Sequence, residues 1–169
     1  METERKMSAE REIRIFIDSV RYEVEASLFS GDEDYDDILT DAEGDTQPEH
    51  MQIKTVGKYA IDGSRCRISY DETDVTGMEG SVTEISFDMV ASEIVTMSRS
   101  GTVSTALIFE NGKRHHCVYT TPYMPFEVCV KTLSVDNRIA EAGVLELDYI
   151  IEIRGARAER TKFYMRIMD

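Results

Sequence analysis

With 169 residues and 41% apolar side chains, the chain can bury the core of one domain, and it holds no apolar run near the ~20 residues a membrane helix needs. A net charge of −14 repels phosphate backbones, and the bases form no stripe interleaved with aromatics, so nucleic acid is a poor fit as partner. Three cysteines, Cys66, Cys117 and Cys129, are an odd number without framework spacing and read as buried thiols.

Residues 1–14 mix acids and bases with no apolar h-region, so no secretory signal is expected and a cytoplasmic address follows. The first long strand is predicted from about Glu12 to Leu28. Ile13, Ile15 and Ile17 share one parity, whereas Val20, Tyr22, Val24, Ala26 and Leu28 share the other, and the switch near Asp18 and Ser19 predicts a bulge or sharp bend. Residues 31–49 then hold nine acids and no base, leaving 24 acids against 19 bases elsewhere. Asp32, Asp34, Asp36, Leu39 and Glu43 fall at positions 1, 3, 5, 8 and 12 of an EF-hand-like loop. The sixth position is Asp37 rather than glycine, and a strand precedes the loop, so a solvated flexible loop is expected in place of a calcium site.

Further alternating stretches run at about 50–61, 64–72, 80–88, 92–99, 102–110, 113–121, 125–135, 142–154 and 158–168. In the stretch at 142–154, Leu145, Leu147, Tyr149, Ile151 and Ile153 oppose Glu146, Asp148, Glu152 and Arg154. Turn chemistry separates the segments, most strongly Asn111-Gly112, which predicts a tight type I′ hairpin. A short helix has room only within Asp136 to Ala142. The fold class is therefore all-β, an antiparallel barrel of about 8–10 strands with little helix, with a β-sandwich as the alternative. One domain over residues 1–169 is expected.

The motifs Thr55-Val56-Gly57-Lys58-Tyr59, Ile68-Ser69-Tyr70-Asp71-Glu72, Arg99-Ser100-Gly101, Phe109-Glu110-Asn111-Gly112, Tyr119-Thr120-Thr121-Pro122-Tyr123, Lys131-Thr132 and Leu147-Asp148-Tyr149 occur in this order. In order and spacing the chain resembles the uncharacterised bacterial YwiB-like family over essentially its whole length. The resemblance implies a small cytoplasmic protein with a calycin-like barrel, the architecture shared with lipocalins, and it implies no activity.

Catalytic and metal chemistry find little support. There is no G-x-S-x-G elbow and no Gly-rich loop leading into a helix, so no catalytic residue and no cofactor is assigned. His115, His116 and Cys117 have the composition of a zinc site, but adjacent histidines on a strand point to opposite faces, and nothing in the spacing brings His50, Cys66 or Cys129 to them. No metal site is assigned. What remains is a set of polar residues among apolar strand positions: Tyr70, Glu72, Arg99, Tyr119, Thr121 and Tyr149, with Thr132 beside them. Inside a barrel they would orient a small, partly apolar ligand, or bond one another as a structural plug. A binding barrel is the first expectation, a protein-interaction or structural module the second, and an enzyme the last.

Overall fold

Among the described residues, alternation along the chain becomes ten antiparallel strands in one sheet. The computed structural model describes residues 9–25, 28–29, 47–73, 76, 78–154 and 157–168. The strands are β1 (Ala9–Val24), β2 (Glu49–Asp62), β3 (Arg65–Asp71), β4 (Val82–Asp88), β5 (Ala91–Ser100), β6 (Thr105–Glu110), β7 (Arg114–Thr120), β8 (Pro125–Arg138), β9 (Val144–Ile153) and β10 (Ala158–Met168). The acidic segment and its EF-like spacing fall, over 31–46, outside the described residues.

The first and last strands pair with each other, so the sheet order is β6-β5-β4-β3-β2-β1-β10-β9-β8-β7. This is a meander that curls until its two ends approach, an almost closed barrel rather than a sandwich. The ends meet at the Ser104–Thr120 bridge, where each amide donates to the other's carbonyl at 3.0 and 2.8 Å. Among the described residues no helix is long and apolar enough to cross a membrane.

The inward row of each strand fills one end of the barrel. Ile15, Ile68, Ile85, Phe87, Val95, Phe109, Leu145 and Met165 are buried there. Helix α1 (Ile139–Ala142) sits in the predicted 136–142 window and buries Ile139 in this core. It stops at Gly143, whose φ of +70° is the left-handed cap that glycine adopts at least cost.

Two expectations change. There is no bulge near Asp18: β1 keeps unbroken register with β10 from Arg14–Met168 to Val24–Ala158, and with β2 from Ala9–Ile61 to Arg21–Glu49. The apolar parity switches because β1 has two greasy neighbours. Ile13, Ile15 and Ile17 face the core, whereas Tyr22 and Val24 face outward into a second cluster with Leu28, Phe29, Cys129, Leu133, Ile150 and Ala158. The Glu152 carboxylate accepts the Leu28 amide at 2.5 Å, and the Arg154 guanidinium lies 4.6 Å over the Phe29 ring, so residues 28–29 are fastened on the outer surface. The irregularities lie instead at Phe87/Asp88 and at Thr132/Ser134. At the second, Leu133 joins the outer cluster, while Thr132 stays fully buried.

The Asn111-Gly112 turn forms, with the Lys113 amide donating to the Glu110 carbonyl at 2.9 Å, but it is not type I′. Gly112 has φ +76°, while no described residue other than glycine has positive φ, which are the signs of a type II turn. Type II turns splay the strands they join. β6 and β7 accordingly form no hairpin ladder and become the two ends of the sheet. Thr132 of β8 fills the opened corner, its hydroxyl accepting the Glu110 amide at 3.2 Å and its carbonyl the Gly112 amide at 2.9 Å.

Candidate functional site

Register brings polar side chains into two inward-facing rows. On one side, Gly57 of β2 lies opposite Tyr70 of β3, Tyr70 opposite Thr83 of β4, Thr83 opposite Arg99 of β5, and Arg99 opposite Thr105 of β6. On the other, Thr132 of β8 faces Tyr149 of β9, Tyr149 faces Thr161 of β10, Thr161 faces Arg21 of β1, and Arg21 faces Glu49 of β2. Each step is a direct cross-strand neighbour, and of these residues Arg21, Glu49, Tyr70, Arg99, Thr105, Tyr149 and Thr161 surround one space.

That space is a cavity of about 880 Å³, lined by Tyr70, Glu72, Arg99, Tyr119 and Tyr149 together with apolar Ile17, Ile53, Leu107, Val128, Ile151 and Phe163. The volume lies within the ~300–1,000 Å³ typical of small-molecule pockets. Arg21 and Glu49, with side chains 52% and 71% exposed, mark its rim.

The most buried charged group among the described residues is Glu72, whose side chain is 2% exposed. Its Oε1 accepts the Thr83 hydroxyl at 2.5 Å and lies 3.6 Å from Arg99 Nε. Arg99 Nε also donates to Thr83 Oγ1 at 3.2 Å. The rest of the pair is less well matched: Glu72 Oε2 is buried without a hydrogen-bond partner among the described residues, and Arg99 Nη2 has only a weak acceptor, Met97 Sδ at 3.8 Å. At the rim Arg21 is matched, with Nη2 at 2.5 Å from Glu49 and Nε at 3.5 Å from Glu159.

Two tyrosines stand between these arginines. Burial, reinforced by Glu72, pushes the Tyr70 phenol well above its usual range, against a smaller opposing pull from Arg99. Burial likewise raises Tyr149, against the pull of Arg99, a Thr161 hydrogen bond and Arg21. Both therefore present neutral hydroxyls at ordinary pH, able to donate as well as accept. The Tyr149 ring also packs on Phe109, with centroids 4.6 Å apart, joining the polar site to the apolar core.

Five of the six residues singled out in the sequence thus line the cavity. Thr121 does not: β7 ends at Thr120, and the Thr121 hydroxyl is occupied in the next turn, donating to the Met124 carbonyl at 3.0 Å and accepting the Met124 amide at 3.2 Å. Sequence reading missed Thr83, Thr161 and Arg21. Arg21 shares the parity of Ile13, Ile15 and Ile17, a signal hidden by the expectation of a bulge.

The histidines are separated. His116 packs on Phe29 outside the barrel with ring centroids 5.9 Å apart, whereas His115 approaches Glu110 at 3.9 Å. Cys117 faces Thr105 at 3.9 Å, and burial raises all three thiols, Cys66, Cys117 and Cys129. Among the described residues no three His, Cys, Asp or Glu side chains gather as metal ligands do.

Comparison with known proteins agrees with this architecture. Residues 37–165 match the family described as "Domain of unknown function (DUF1934)". The crystal structure of ywiB protein from Bacillus subtilis is similar with a TM-score of 0.66 and 17% sequence identity, over 95% of this chain and 94% of that one. At that identity the likeness establishes the fold. No curated protein matches.

Proposed function

Because the chain belongs to the DUF1934 family, whose description assigns no function, we propose from the cavity itself that it binds a small, partly apolar molecule inside the barrel, with a carboxylate or carbonyl of that molecule against Arg99. The observation that carries the reading is the Arg99 fork, whose Nη2 has Met97 Sδ at 3.8 Å, in the wall of a cavity of about 880 Å³ lined by both apolar and polar side chains. A half-buried guanidinium in a cavity wall offers a planar set of donors suited to a ligand oxygen. Tyr70, Tyr119 and Tyr149 add flat surface with hydroxyl handles, the mix that fixes a ligand's orientation.

Titration with fluorescent acyl probes, wild type beside Arg99→Met, tests it. Methionine roughly preserves length and removes the donors, so affinity should fall by about 1.5–3 kcal/mol, the usual worth of a hydrogen bond to a charged group. If no probe binds, or if the substitution destabilises the fold and leaves affinity untouched, the polar cluster is a structural plug and the barrel is an interaction or structural module.

A further inference from the structure

Among the described residues the charges around the cavity are nearly balanced. Two arginines, Arg21 and Arg99, face three glutamates, Glu49, Glu72 and Glu159. Arg21 is already engaged by Glu49 and Glu159, so its charge is not available to a ligand. Deeper in, Arg99 and Glu72 form a pair that is neutral as a unit and, among the described residues, incomplete as a set of hydrogen bonds: Arg99 Nη2 has a sulfur rather than an oxygen as its contact, and Glu72 Oε2 has no donor.

Resting on the reading that the barrel holds a ligand, we propose that the polar end of that ligand is uncharged and presents a carbonyl beside an N–H, as a primary carboxamide or a lactam does. The carbonyl takes the Arg99 donors, and the N–H meets the Glu72 carboxylate. A carboxylate would satisfy Arg99 but set a second negative charge beside Glu72, where little water screens the repulsion. A protonated amine would satisfy Glu72 but face the Arg99 guanidinium with like charge. Only the group with both an acceptor and a donor leaves the buried pair neutral and complete.

Three probes with the same fluorophore and chain test this: dansylaminoundecanoic acid, its primary carboxamide, and the matching primary amine, each titrated near neutral pH into the wild-type protein. The carboxamide should bind about tenfold tighter than either charged probe, the effect of one charge-assisted hydrogen bond. Glu72→Gln removes the buried negative charge and should move the preference to the acid, with its melting temperature followed to show that the fold survives. The wild-type comparison decides even if that variant does not fold. An acid or amine that binds as tightly as the carboxamide overturns the head-group assignment while leaving the barrel-ligand reading standing. Failure of all three probes, a separate outcome, removes the reading on which this one rests.

Discussion

At the scale of residues, the site depends on Thr83 more than its size suggests. Its hydroxyl donates to Glu72 at 2.5 Å and accepts from Arg99 at 3.2 Å, so it holds the two charged groups in place from the floor of the pair. Thr83→Val keeps the shape and removes both bonds, leaving a buried carboxylate short of a donor. Urea unfolding should show a loss of about 1–3 kcal/mol; an unchanged midpoint and slope would mean that the bond carries little. Tyrosines set the alkaline limit. Burial and a Cys66 hydrogen bond push Tyr59 up to about 12, and Tyr70 and Tyr149 are raised in the same direction, chiefly by burial. A folded-state pKa above the unfolded value means that the unfolded chain ionises first. Their contribution is therefore intact below about pH 10, where an unfolded tyrosine titrates, and is lost as pH rises toward the folded values. In a pH titration, phenolate absorbance of the buried tyrosines should rise together with loss of native structure rather than before it. Tyr70, Glu72, Arg99, Tyr119 and Tyr149 were legible in the sequence because they interrupt or ride on apolar rows. Thr83 and Thr161 were not, since a threonine on a strand looks the same whether it faces water or a buried carboxylate.

At the scale of elements, β1 shows how an apolar pattern can be read correctly and its cause misassigned. The change of parity after Ile17 marks a strand that buries its inner face at one end and its outer face at the other, and the unbroken register with both neighbours leaves Ser19 and Arg21 pointing inward. Alternation gives the face of a residue relative to its own strand; which face meets a second layer is decided by residues 28 and 29, which lie outside any strand and close over Val24, Cys129, Ile150 and Ala158. The Asn111-Gly112 turn carries a similar lesson, because the dipeptide specifies a turn while the Thr132 bonds hold it in a form that parts β6 from β7. β2 crosses β1 and β3 closely at Gly57, where an added Cβ would come within 2.5 Å of both Ile15 Cδ1 and the Ser69 carbonyl oxygen. The carbonyl is backbone and cannot rotate away. Gly57→Ala should therefore lower stability by about 1–3 kcal/mol, the usual cost of overpacking, as read by thermal or denaturant unfolding. A variant as stable as wild type would show that the β2–β3 contact has slack.

At the scale of the whole molecule, closure is what makes a site out of scattered residues. The ten strands and their order along the chain were visible in the alternation and turns, but the pairing of β1 with β10, which curls the meander round, leaves no local signature. With α1 limited to four residues, far-UV circular dichroism should be dominated by β-structure. A helix content above about a fifth of residues, near that of mixed proteins, would contradict the barrel. Closure also separates inside from outside, and the account assigns the ligand to the inside, against Arg99, Tyr70 and Tyr149, rather than to the outer cluster around Phe29. The most direct test is a backbone amide NMR titration with the dansylaminoundecanoyl carboxamide. Saturable shifts should concentrate at Tyr70, Glu72, Thr83, Arg99, Tyr149 and Thr161, with Phe29, Leu133 and Val118 on the outer surface unmoved. Shifts confined to the outer surface, or none at saturating probe, would place no ligand inside the barrel.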